Sequence, residues 1–177
     1  AIVDTYDFTG IRTLADIGGG YGILIAEILK ANPTLEGILA DRPGVIKEAE
    51  KLIRDRGAAN RLQTVACDFF KEIPAGHDTY IMSNILHDWN DQQCRVILNN
   101  CRKAMKPQAK LLIIEMIIPP GNEPSVAKLL DLEMMVITGG KERTGDEYKD
   151  LLEGAGFKLT RIIPTPESTS IIESIPV

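Results

Sequence analysis

The chain of 177 residues is 44% hydrophobic and 25% charged, with a formal charge of −5. That length and balance suit one globular domain with a real core and exclude a disordered chain. An acidic balance without a basic run argues against nucleic acid and anionic membranes as partners. No apolar stretch approaches the ~20 residues of a membrane span.

The first predicted strand covers 12–17 and runs into Gly18-Gly19-Gly20-Tyr21-Gly22. Such a turn lets the backbone take positive φ and lets a ligand approach with no Cβ in the way. A helix over 21–31 follows, with Ile23, Leu24, Ile28 and Leu29 on one side, and Asn32-Pro33 ends it. Residues 35–40 read as the second strand, which stops at Asp41. Arg42-Pro43-Gly44 reads as a turn, Val45, Ile46, Ala49, Leu52 and Ile53 form a helical stripe, and Gly57 suits the C′ position. The third strand is 62–66, just before Asp68, and the fourth is 78–84. Asn90 and Gln93 make a capping-box-like start for a helix carrying Cys94, Ile97, Leu98, Cys101 and Met105 on one face. Lys106-Pro107 stops that helix. Residues 110–116 are almost continuously apolar, as in a strand covered on both faces. After the break at Pro119-Pro120-Gly121, residues 126–137 read as a helix and Gly139-Gly140 as a loop. Thr144 with Glu147 opens a last helix, ended by Gly156, and 157–163 with 168–175 form a hairpin around Pro164-Thr165-Pro166.

Alternating strands and helices predict an α/β fold, a mostly parallel sheet with helices on both faces and a closing antiparallel hairpin. Ligands of such sheets bind at the carboxyl ends of the strands. Cys67, Cys94 and Cys101 have no metal-ligand spacing and read as buried, reduced thiols, which fits a cytoplasmic protein. His77 reads as an exposed loop residue.

The glycine turn departs from the dinucleotide fingerprint. Read from Gly18, the third fingerprint position is Ile23, and Asp16 would repel a pyrophosphate. Both points count against an NAD-dependent oxidoreductase. An Asp-x-Gly-x-Gly-x-Gly turn suits S-adenosylmethionine, which carries no phosphate and whose amino group and sulfonium are positive. Asp41 is placed to grip a ribose hydroxyl pair, Asp68 to accept from an adenine amino group, and Phe69 to cover the adenine face. Each alone has a structural explanation as a turn, a turn cap or a solvated loop residue; their order on successive strand ends argues for the cofactor. His87 follows the fourth strand, at the rim where a donor methyl would lie. A histidine pKa near ~6.5 suits a general base, and a phenol near ~10 is a feasible target.

His87-Asp88-Trp89 with Asp91, together with Asp16 to Gly22, resembles the plant caffeate-type and bacterial small-molecule O-methyltransferases that use S-adenosylmethionine. The resemblance runs through Cys67-Asp68-Phe69-Phe70 with Ile73-Pro74, Ile114-Glu115-Met116 with Pro119, Asp131 to Met135, Gly139 to Thr144, and Ala155-Gly156-Phe157. It implies a Rossmann-like class I methyltransferase fold with seven strands. It implies His87 as general base flanked by Glu115 and Glu142, Asp88 against the acceptor, and Trp89 and Met134 in the pocket wall. Asp16, Gly18, Gly20, Asp41, Asp68, Phe69 and Ser83 would hold the cofactor, and no metal is implied. Ser83 stands where the plant enzymes carry a cofactor-holding lysine. These enzymes also have a helical domain ahead of the catalytic one, which makes a homodimer and lends part of the acceptor pocket. Residues 1–11 are therefore expected to be the end of a linker from such a domain and 12–177 the catalytic domain, acting on a small molecule. Two further readings remain open: a methyltransferase-like protein doing other chemistry, and a domain that only binds cofactor.

Overall fold

The structure is a computed structural model, and it describes residues 1–55 and 60–177. Gly57, expected as a helix C′ residue, lies outside the described residues. The elements in chain order are α1 (Ile2–Thr5), β1 (Thr13–Ile17), α2 (Ile23–Ala31), β2 (Glu36–Asp41), α3 (Pro43–Asp55), β3 (Leu62–Ala66) and β4 (Thr79–Ser83). A 3-10 turn (Leu86–Asp88) leads to α4 (Asp91–Ala104), β5 (Lys110–Ile118), α5 (Val126–Ile137), β6 (Arg143–Thr144), α6 (Gly145–Glu153), β7 (Phe157–Pro164) and β8 (Thr169–Pro176).

Seven strands run β3-β2-β1-β4-β5-β8-β7, and the two-residue β6 pairs with β5 as an eighth. The first five are mutually parallel, and β8 enters antiparallel between β5 and β7. The chain starts at β1 and moves outward first one way, then the other. The carboxyl ends of β1 and β4 therefore meet at the point where the order reverses, which is where such sheets open a crevice.

Both faces are covered, so the central strands are apolar throughout. On one face, Tyr80, Met82, Leu111 and Ile113 pack against the buried stripes of α4 and α6. On the other, Leu14, Leu39, Ile81, Leu112 and Ile114 pack against α2 and α3. Each such side chain taken from water contributes ~1.5–3 kcal/mol before the entropy of ordering it.

Several boundaries differ from expectation. Pro43, read as part of a turn, is the first residue of α3, where a missing N–H costs nothing. Helix α6 ends at Glu153, and Gly156 lies beyond it in a left-handed conformation. His77 is half buried, edge-on to Tyr80, and its backbone N–H donates to the Tyr80 hydroxyl. Residues 1–11, expected as linker, contribute Tyr6 and Phe8 to the core, so this stretch is packed into the same unit as the rest. All three cysteines are free and buried. Among the described residues no helix is long and apolar enough to cross a membrane.

Candidate active site

The crevice begins at the glycine turn. Gly18 and Gly20 take φ of 71° and 58°, a conformation that side chains resist, and the chain folds tightly over the end of β1. Gly19 closes directly onto Asp16 and Leu39: a Cβ there would meet the Asp16 carboxyl carbon at 2.4 Å. Asp16 is thereby sealed under the turn, 1% exposed, with both carboxylate oxygens lacking a hydrogen-bond partner. Burial, reinforced by the charge of Asp41, pushes its pKa up to about 7. The turn is tied to β2 by the Gly20 N–H, which donates to Asp41 Oδ2 at 2.9 Å.

Two hollows meet at this turn. The first, about 540 Å³, is lined by Asp16, Gly18 to Gly20, Ser83 and Asn84. The second, about 750 Å³, includes Gly18, Asp41, Asp68, Phe69, Asn84 and Trp89. Every residue expected to hold the cofactor thus lines one of the two. The Trp89 ring stands edge-on to Phe69 and Phe70, at 6.2 and 4.8 Å between centroids. Trp89 thus packs beside Phe69, the residue expected to cover the adenine face. Asp68 faces solvent, accepting from Phe70 N–H and pairing with Lys71 at 3.1 Å. Met134 is half buried on α5 and lines neither hollow. Asn84, which the sequence reading passed over, lines both and has a φ of 53°. A polar residue just after a buried strand was the available signal, since Asn is among the few side chains that tolerate that backbone region.

His87 sits on the 3-10 turn after β4, and the sequence brings two buried acids to it. Glu115 projects from the middle of β5, 0% exposed, and its Oε1 accepts from the N–H groups of both Ile85 and Leu86 at 2.9 Å. Its Oε2 lies 3.6 Å from His87 Nδ1. Glu142, just ahead of β6, is 2% exposed and holds Nδ1 at 2.8 Å through Oε1. Its place in the charged run Lys141-Glu142-Arg143 suggests solvated surface; the structure instead packs it against the ring. With Nδ1 donating to Glu142, Nε2 keeps its lone pair. Asp88 stands beside that nitrogen, 3.7 Å away, and lines the second hollow.

Burial of the ring works to lower the His87 pKa, but the Glu142 hydrogen bond and the charges of Glu115, Glu142 and Asp88 outweigh it and leave the pKa raised. Burial pushes the Glu115 carboxyl up to about 7, against the opposing pull of His87. One ligand-type atom from each of His87, Glu115 and Glu142 lies within 4.8 Å of the others. Chemically, the cluster is an imidazole oriented by one carboxylate and backed by a second, with its other nitrogen on the side of Asp88.

A mostly parallel sheet with a glycine turn at its switch point defines an α/β domain of the Rossmann-like class. The model of the O-methyltransferase domain family matches residues 1–158. Over the full 177 residues the chain is 48% identical to phenazine O-methyltransferase PhzM of Lysobacter antibioticus, covering 52% of that protein. It is 36% identical over 171 residues to 8-amino-8-demethylriboflavin N,N-dimethyltransferase of Streptomyces davaonensis, covering 96% of this chain and 49% of that one. Among solved structures it superposes with TM-score 0.91 on the O-methyltransferase NcsB1 from neocarzinostatin biosynthesis, in complex with S-adenosylmethionine and 2-hydroxy-5-methyl naphthoic acid. That match is at 32% identity and spans 100% of this chain and 52% of that one. The chain belongs to the O-methyltransferase family and has its class I methyltransferase fold. It spans about half the length of the curated relatives it matches.

Proposed function

We propose that this chain binds S-adenosylmethionine and transfers its methyl group to a hydroxyl, phenolic in character, of a small molecule, with His87 as general base. The observation that carries the reading is the 2.8 Å contact of His87 Nδ1 with buried Glu142, which leaves Nε2 on the side of Asp88, a residue that lines the second hollow.

The residues fit the cofactor on chemical grounds. Two orphaned carboxylate oxygens sealed under the turn suit a cationic group and repel a pyrophosphate, which counts against a nicotinamide dinucleotide. Asp16, Gly18, Gly20 and Ser83 would hold the methionine end, Asp41 the ribose, and Asp68 with Phe69 the adenine. When bound, the cofactor would supply a methyl already activated on a sulfonium. His87 Nε2 would take the proton of the acceptor hydroxyl and leave the oxygen nucleophilic. Glu142 would keep Nδ1–H aligned, and both acids would stabilise the imidazolium formed. Asp88, beside Nε2, would contact the acceptor.

The relatives are about twice as long, and a helical segment of such a protein would close the acceptor pocket and make a homodimer. The outward row Leu129, Leu132, Val136 and Ile137 of α5, apolar and exposed, is the surface such a segment would cover. The test is transfer of labelled methyl from S-adenosylmethionine to a panel of phenols and aryl amines, using the intact protein. The expectation is labelled phenol ether, lost by at least ~100-fold in His87→Ala while S-adenosylhomocysteine still binds by calorimetry. Unchanged turnover in His87→Ala refutes the base assignment, and label only on nitrogen refutes the hydroxyl.

A further inference from the structure

The largest fully buried side chain in the described residues is an arginine, Arg143. A buried guanidinium must be matched by acceptors or it is strongly destabilising. Its acceptors are concentrated on one short segment. Nη1 donates to the Leu86 carbonyl at 3.0 Å, Nη2 to the Trp89 carbonyl at 2.9 Å, and Nε and Nη2 to Asp91 Oδ1 at 3.2 and 2.8 Å. Nη2 also reaches Cys94 Sγ at 3.4 Å, and Nη1 the Lys141 carbonyl at 3.2 Å. The carbonyls of Leu86 and Trp89 bracket the turn that carries His87.

That turn is therefore held at two ends. Glu115 takes the N–H groups that lead into it, and Arg143 takes the carbonyls of its first residue, Leu86, and of Trp89 just after it. The segment bearing Arg143 also docks on the turn backbone to backbone. Lys141 N–H donates to the His87 carbonyl at 3.0 Å, and a Cβ on Gly140 would overlap the backbone of residues 87–89. Glu142 and Arg143 are neighbours: one holds the ring of His87, the other holds the backbone that presents it.

We propose that Arg143 is a positioning residue for His87, fixing the 86–89 turn so that the imidazole meets Glu142 and Glu115. This rests on His87 being the base, but its test does not. The chain has two histidines, His77 and His87, so selective labelling resolves each ring by NMR. The groups facing His87 are Glu142, Glu115 and Asp88. In Arg143→Lys, which keeps charge and stem but loses the fork, the ring drifts from Glu142. Its measured pKa then falls by about one unit, and the Nδ1–H tautomer preference weakens. Asp91→Asn, at a side chain 45% exposed, loosens the same clamp from outside and moves His87 the same way by less. His77 and the affinity for S-adenosylhomocysteine stay within about twofold of wild type. Methyl transfer drops at least ~10-fold in kcat with little change in KM for the cofactor.

Identical His87 titration in wild type, Arg143→Lys and Asp91→Asn overturns the proposal. So does a kcat loss matched by an equal loss of cofactor affinity, the mark of general unfolding. If His87→Ala retains full activity while Arg143→Lys still shifts the ring, the base reading has failed and the positioning stands.

Discussion

At the residue scale, function and stability conflict most sharply at Asp16. Its oxygens have no protein partner, and it lies almost fully buried beneath the glycine turn. A carboxyl whose folded pKa lies near 7 binds more protons folded than unfolded, where its pKa is ~3.9. Its contribution to stability is then fully present below pH ~4 and is lost as pH rises through about 7. Asp16→Asn removes the buried charge. At pH 8 it should melt roughly 3 °C or more above wild type, with the gap closing toward pH 5, in scanning calorimetry. The same variant should bind S-adenosylhomocysteine at least ~10-fold more weakly, because the cationic end loses its counter-charge. A variant that is both less stable at pH 8 and a normal binder contradicts both arguments. Asp16 was legible from sequence because it stands against a glycine run. Glu142 and Arg143 were not: in Lys141-Glu142-Arg143 nothing local separates a buried acid and a buried guanidinium from a solvated loop. Glu142 was reached only through the family resemblance, and Arg143 was not reached at all.

At the element scale, the long elements were legible and the short ones were not. Strands β1, β2, β4 and β5 declare themselves as apolar runs, and α4 by a stripe with a cap at one end and Lys106-Pro107 at the other. The 3-10 turn and β6 have three and two residues, too few for periodicity to register. Yet these two carry or adjoin His87, Glu142 and Arg143, so this part of the candidate site is built on the elements with the least sequence signal. Their geometry is set by tertiary contacts, chiefly Glu115 and Arg143. The capping box at the start of α4 is the local exception. Asn90 Oδ1 accepts from Gln93 N–H at 3.0 Å, and the Gln93 side chain returns to Asn90 N–H at 3.3 Å. Asn90→Ala should cost about 1 kcal/mol and lower the melting temperature by about 2–4 °C, with cofactor affinity unchanged. An unchanged melt would mean that Arg143 and Asp91 alone anchor this helix start.

At the scale of the molecule, the sheet's far half is joined to the chain's beginning by one buried acid. Glu173 on β8 accepts from Tyr6 Oη at 2.6 Å, Thr160 Oγ1 at 2.7 Å, Arg161 at 3.0 and 3.1 Å and Lys110 at 3.3 Å. These partners come from the segment after α1, from β5 and from β7. Glu173 therefore ties the first residues, the parallel half of the sheet and the reversed hairpin together, and explains why residues 1–11 pack as part of this unit. Burial opposes its charge, but the hydrogen bonds from Arg161, Tyr6 and Thr160 and the charge of Lys110 prevail and hold its pKa down at about 2. The folded pKa is depressed, so the stabilisation is present above the unfolded value of ~4.3 and is lost as pH falls through about 2. Glu173→Gln keeps the shape and loses the charge. At pH 7 it should be less stable than wild type by roughly 2–3 kcal/mol in denaturant titration. The difference should shrink from pH 4 downward and vanish near pH 2. Proteolysis of the variant should begin in residues 1–11, the segment that has lost its anchor. A difference that persists undiminished at pH 2 would show that side-chain packing, not the charge, holds this junction.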